Sequence, residues 1–104
     1  MAWLILVVAG LFEIGWAVEL KISHGFSRLG PTILTLFFLV SSFFLLARAM
    51  KTIPLGTAYA VWTGIGTVGA AVFGIVLFGE PVSIYQICFI SLILVGIVGL
   101  KLVS

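Results

Sequence analysis

Long apolar runs broken by brief polar interruptions dominate the chain. Runs from about Ala2 to Leu20, Pro31 to Met50, Pro54 to Gly79 and Ser83 to Val103 each approach the ~20 residues a helix needs to cross a bilayer core. Between them lie Lys21-Ile-Ser-His-Gly-Phe-Ser-Arg28, Lys51-Thr-Ile-Pro54 and Glu80-Pro81. The apolar positions are continuous and do not alternate, which argues against barrel strands. Proline lacks an amide hydrogen and disfavours helix in the residue before it, so Pro31, Pro54 and Pro81 are expected at helix starts. Connections this short make sequential helices antiparallel neighbours. The pattern predicts an all-α integral membrane fold: one four-helix transmembrane domain over residues 1–104, without extramembrane domain, linker or internal repeat.

Composition sharpens the picture by exclusion. The chain is 63% hydrophobic and 8% charged, against about 25% charged in an average soluble domain. In 104 residues there is too little interior to hide that much apolar side chain, and disorder requires low hydrophobicity. A scattered net charge of +2 is no basis for a nucleic-acid partner. A single cysteine, Cys88, makes neither an internal disulfide nor a metal cage and reads as a small apolar residue. No Ser-His-Asp set, phosphate loop or metal-ligand cluster is present, so no enzyme, metal or cofactor is expected. The N-terminus lacks the basic region of a signal peptide, and Glu13 interrupts its apolar run.

Charge then bears on orientation. With an even number of spans, both termini and the second loop share one side, which holds Arg48, Lys51 and Lys101. Lys21 and Arg28 lie on the other. Topology normally follows the Lys/Arg excess, and here the excess is a single charge. One outcome is a weakly N-terminus-inside orientation. The other is insertion both ways, with the two forms pairing as an antiparallel homodimer. Four helices alone also make a meagre cavity, which again favours an oligomer.

Glu13 is the most informative residue, because an ionised carboxylate near mid-span is costly and nothing in the fold requires it. Arg48, Lys51 and Lys101 sit near span ends, where they can snorkel. The natural counter-charge for Glu13 is therefore mobile, a proton or a cationic substrate. A buried carboxyl holds its proton more tightly and an approaching cation displaces it. Proton and cation then compete for one site, the minimal chemistry of a proton-coupled cation antiporter. In a dimer two such glutamates would titrate as a coupled pair.

Helix geometry supplies candidate neighbours. Gly10 and Trp16 each lie about 60° from Glu13 around the first helix, the glycine leaving space and the indole offering an aromatic wall. Tyr59 and Trp62 share a face of the third helix, about 12 Å along it at Trp62 against about 16 Å along the first helix at Glu13. Ser42 lies halfway along the second span. Aromatic faces attract cations, and Ser42 and Tyr59 are placed to orient the carboxylate by hydrogen bonds. Each also has a plain use: Trp16 and Trp62 in packing, Tyr59 as an interfacial anchor, Ser42 bonding back to its own helix. In Trp62-Thr-Gly-Ile-Gly-Thr-Val-Gly69 the glycines Gly64 and Gly66 read as a hinge for alternating access, or as points of close helix packing. Ser91, Gly96 and Gly99 give the acid-free fourth helix a small-residue face suited to dimer packing. Glu19 is near enough to the span end to meet water or Lys21, Glu80 belongs to a loop, and His24 reads as solvated.

These residues, in this order, resemble the small multidrug resistance family. The similarity spans the whole chain: four short-looped spans, a lone glutamate in the first, and Tyr59-x-x-Trp62-x-Gly64-x-Gly66 in the third. Within the family the chain is similar to the guanidinium exporter subtype, through Gly10-x-x-Glu13-x-x-Trp16, Lys21-x-Ser-x-Gly-Phe-x-Arg28, Ser42, Gly56-Thr-Ala-Tyr-Ala-Val-Trp-Thr-Gly-Ile-Gly66 and Gly99-Leu-Lys101. The resemblance implies an antiparallel, dual-topology homodimer of the cell (inner) membrane that exports guanidinium in exchange for protons at the Glu13 residues of both subunits. It also implies that Ser42 and Trp16 order the carboxylate, that Tyr59 gates or hydrogen-bonds, and that Trp62 lines the pocket. Guanidinium is planar, with parallel N–H pairs that match a carboxylate. A broad-range exporter of quaternary-ammonium or polyaromatic cations is the alternative on the same scaffold. A passive channel or a subunit of a membrane complex is the alternative from another class.

Overall fold

The computed structural model describes residues 1–103. Four helices form in chain order: α1 (Ala2–Ile22), α2 (Leu29–Ala49), α3 (Leu55–Phe78) and α4 (Ile84–Leu102). All four are long and apolar enough to cross a membrane. Helix is the form such segments must take, because the bilayer core offers no water to satisfy backbone N–H and C=O groups.

The ends depart slightly from the sequence pattern. α2 begins two residues before Pro31, which thus occupies its third position, where the N–H has no intrahelical partner in any case. Pro54 caps α3 from outside, in extended geometry with ψ 146°. Pro81 precedes the true start of α4, where the Ser83 hydroxyl accepts the Gln86 N–H at 3.2 Å. α3 stops at Gly79, φ 64°, and the Glu80 N–H turns back to the Gly74 carbonyl at 3.2 Å, a left-handed glycine cap.

The first loop is organised by Ser23, which is fully buried. Its hydroxyl donates to the Leu20 carbonyl at 2.7 Å and accepts the Phe26 N–H at 3.1 Å. Its carbonyl accepts the N–H groups of Ser27 and Arg28 at 2.9 and 3.1 Å. That network holds His24, Gly25 and Phe26 at φ 49°, 71° and 69°.

Packing order differs from chain order. α1 lies between α2 and α3, and those two scarcely pack on each other despite their short connection. The expectation that sequential helices are neighbours therefore holds fully for α1–α2 and α3–α4 and only narrowly for α2–α3, which touch around Trp62. The physical reason is the small residues on two faces of α1: a Cβ at Gly10 would lie 2.7 Å from Ile65, and one at Gly15 would lie 3.2 Å from Phe38. Bare backbone at both points lets α3 and α2 approach. Gly10 therefore does not leave open space beside Glu13, since Ile65 of α3 occupies it.

The core gathers at one end of the bundle, from Leu6 and Ala9 of α1, Leu46 and Ala49 of α2, and Ala58, Val61 and Trp62 of α3, with Ile53 of the second loop. α4 stands apart. It packs on α3 alone among the helices, where Ile93 and Ile97 close over Gly64, and none of its residues is buried. The molecule is accordingly thin, 41 × 34 × 17 Å.

Candidate functional site

Glu13 lies on the α1 face turned to α3, half-buried, with its carboxyl against the backbone of Gly66. A Cβ at Gly66 would fall within the Glu13 carboxyl group. One turn along α1, Trp16 shares that side. The Glu13 Oε2 atom is buried and receives no hydrogen bond, and the Trp16 Nε1–H is buried and reaches no acceptor. One acceptor and one donor, three residues apart on α1, are thus left unused, although unpartnered buried polar atoms are rare and costly. The one ion pair among the described residues joins Lys21 to Glu80 at the end of the bundle, with the Lys21 ammonium also 4.9 Å above the Phe78 ring. Lys21 thus pairs with Glu80 of the third loop and not with its helix neighbour Glu19.

Ser42 is fully buried, and both of its bonds are engaged away from Glu13. Its hydroxyl donates to the Ala9 carbonyl at 2.7 Å and accepts the Trp62 Nε1–H at 2.9 Å. The expected hydrogen bond from Ser42 to the carboxylate is replaced here by a bridge tying α1, α2 and α3 together. Ala9 lies one turn below Glu13, so the bridge fixes the stretch of α1 that carries the carboxylate.

Trp62 is the centre of an aromatic cluster. Tyr59 meets it edge-on at 5.5 Å and 71°, and Phe43 meets it at 5.2 Å and 45°. Tyr59 is half exposed, and Trp62 is buried. Phe43 is missing from the sequence-based site. Its one signal is its place beside Ser42, which nothing distinguishes from the other eight phenylalanines. Further along α3, a Cβ at Gly69 would fall into the Ile14 side chain.

α3 runs unbroken through Gly64 and Gly66. Each has a close neighbour: Ile97 lies 2.7 Å from a Cβ at Gly64, and Glu13 sits on Gly66. In this conformation both glycines serve close packing within a continuous helix. On α4, Ser91 bonds back to the Ile87 carbonyl at 2.8 Å, and nothing lies within 4 Å of a Cβ at Gly96 or Gly99. No group of three or more His, Cys, Asp or Glu gathers among the described residues.

Four helices long and apolar enough to cross a bilayer, with a single mid-span carboxyl seated where α1 meets Gly66 of α3, define a multi-pass membrane protein with a small polar site in an apolar bundle. Residues 1–93 match the family described as Small Multidrug Resistance protein. The chain belongs to that family, one of membrane transporters and not of enzymes, and its place is the cell membrane. It is 64% identical over 104 residues, covering all of both chains, to a protein of Yersinia pestis named guanidinium exporter. Proteins of the same name from Proteus vulgaris and Escherichia coli K12 are 56% identical over 104 residues and 58% over 102 residues. The first of these comparisons covers both chains fully, and the second covers 98% of this chain and 97% of the relative.

Proposed function

We propose that this protein exports guanidinium, exchanging it for protons at Glu13, and that it works as an antiparallel homodimer. The observation that carries the exchange is the buried Oε2 of Glu13, which no group of the protein satisfies; the indole N–H of Trp16, one helical turn on, is likewise buried and unused. A buried carboxylate without a protein cation needs a counter-charge, and a proton or a planar cation can each supply it. The two compete, so loading with one expels the other. The name shared by full-length relatives supports guanidinium as the cation.

The fit is chemical as well. A guanidinium ion presents paired N–H donors that a carboxylate accepts in parallel. Its flat face suits the aromatic side chains near Glu13. Ser42 and Trp62 act by keeping α1 and α3 in register, while Tyr59, half exposed, is the aromatic group most free to move over the site.

The dimer reading rests on other features. No residue of α4 is fully buried within its own chain, and nothing lies within 4 Å of a Cβ at Gly96 or Gly99. The Lys/Arg bias between the two ends is one charge, too small to fix a single orientation. Two chains in opposite orientations would face their Glu13 side chains into one shared site.

Proton release tests the exchange. Guanidinium added to weakly buffered, detergent-solubilised protein is expected to release protons, and Glu13→Gln is expected to abolish the release. Release with tetraethylammonium and not with guanidinium would move the protein to the broader drug-exporting type. Silence with every cation, from folded dimer, would contradict exchange at Glu13.

A further inference from the structure

We infer that the apolar groove between α1, α3 and α4 holds an acyl chain of an anionic phospholipid, whose phosphate rests on Lys101. The groove has a volume of about 510 Å³ and is walled by Leu4 and Val7 of α1, Val61 and Ile65 of α3, and Ile97 and Val98 of α4. No polar surface lines it, and at its mouth stand Trp3 and Lys101. It exists because α4 touches α3 along one seam only, at Gly64, and leaves α1 uncovered on that side.

Charge decides which lipid it takes. Lys101 lies at the bundle end that also carries Arg48 and Lys51, whereas Glu19 and Glu80 both lie at the opposite end. The Lys101 ammonium is exposed and already held 5.0 Å above the Trp3 ring. That contact keeps it over the groove mouth while its N–H donors stay free for a phosphate. Tryptophan and lysine at a span end both favour the headgroup region. A second groove provides the internal contrast. Leu11, Ile14, Val18, Phe38, Phe73 and Leu77 line a space of about 330 Å³ that has Glu19 at its edge. An acid there repels a phosphate, so the two grooves, similar in apolar lining, differ in the lipid they accept.

Native mass spectrometry on the full chain, purified with phosphatidylglycerol or phosphatidylcholine, tests the assignment. Phosphatidylglycerol is expected to be retained about fivefold more than phosphatidylcholine, the preference one basic side chain at a membrane surface confers. Lys101→Gln is expected to remove that preference, Lys101→Arg to keep it, and Glu19→Gln, which takes the acid from the second groove, to raise it. Val98→Trp, which fills the groove from an exposed position, is expected to lower retention of both lipids. Equal retention of the two lipids by the wild-type chain would overturn the inference. So would a Lys101→Gln variant that keeps the preference, or a Val98→Trp variant that keeps its lipid but no longer pairs with a second copy.

Discussion

Ser42 and Trp62 share a buried hydrogen bond, indole N–H to hydroxyl at 2.9 Å, and the same hydroxyl donates a hydrogen bond to the Ala9 carbonyl at 2.7 Å. One side chain on α2 thereby ties together α1, which carries Glu13, and α3, which carries Trp62 and Gly66. A serine is suited to this because it donates and accepts at once. Ser42→Ala would remove both bonds and leave the Trp62 N–H buried without a partner. Hydrogen bonds between membrane helices are worth about 0.6 kcal/mol each, and the orphaned donor adds about 1–3 kcal/mol. The variant is expected to melt at lower temperature and to bind guanidinium several-fold more weakly. A melting curve and a titration of tryptophan fluorescence check the two effects.

Gly66 is expected to tolerate no side chain. A methyl group there falls within the Glu13 carboxyl, whose position is the site itself. Gly66→Ala is expected to weaken guanidinium binding more than tenfold, read by equilibrium titration. Gly64→Ala meets side-chain atoms of Ile97 and Ile93 on α4, away from Glu13, and is expected to bind nearly normally. If α3 also bends during transport, Gly64→Ala will slow exchange without weakening binding. Unchanged exchange rates would leave Gly64 a packing residue.

Much of this was legible in the chain. The four spans follow from run length alone, and the helix ends fall within two or three residues of the polar breaks. Glu13 declares itself because a charge at mid-span has no structural excuse. Gly66 was marked as a glycine of interest, but its use as the seat of a carboxylate depends on which helix α3 meets. That choice is tertiary. α1 slides between α2 and α3 because Gly10 and Gly15 are bare on two of its faces, and a local pattern does not say which partner fills each gap. Ser42 was singled out, yet its partners Ala9 and Trp62 became visible only once the three helices were in place. The Ser23 knot in the first loop was missed for the same reason: it rests on a buried hydroxyl in a stretch that reads as polar and solvated.

The fourth helix offers a test of assembly. Its small-residue positions face open space within one chain, so bulk there should harm pairing and not folding. Gly96→Leu is expected to keep helical content while shifting the protein from dimer to monomer on a detergent sizing column. If the paired chains are antiparallel, a tag at the C-terminus will be reached by a membrane-impermeant reagent from both sides. Labelling from one side alone would count against that arrangement.

The Lys21–Glu80 pair ties the end of α1 to the third loop. Both side chains are about half exposed, so the pair is worth roughly 0–1 kcal/mol. Glu80→Lys is expected to alter exchange rates less than about fivefold, and Lys21→Glu with Glu80→Lys to restore them. High salt should mimic the single variant.

The central claim is obligatory exchange at Glu13, and a pH gradient tests it most directly. Proteoliposomes holding a low concentration of guanidinium, with equal guanidinium outside and an acidic interior, should accumulate the ion above the external level. The same competition predicts tighter guanidinium binding as pH rises, since deprotonated Glu13 is the form that takes the cation. Glu13→Gln should accumulate none. Guanidinium that merely equilibrates, unmoved by the gradient, or accumulation that survives Glu13→Gln, would contradict the account.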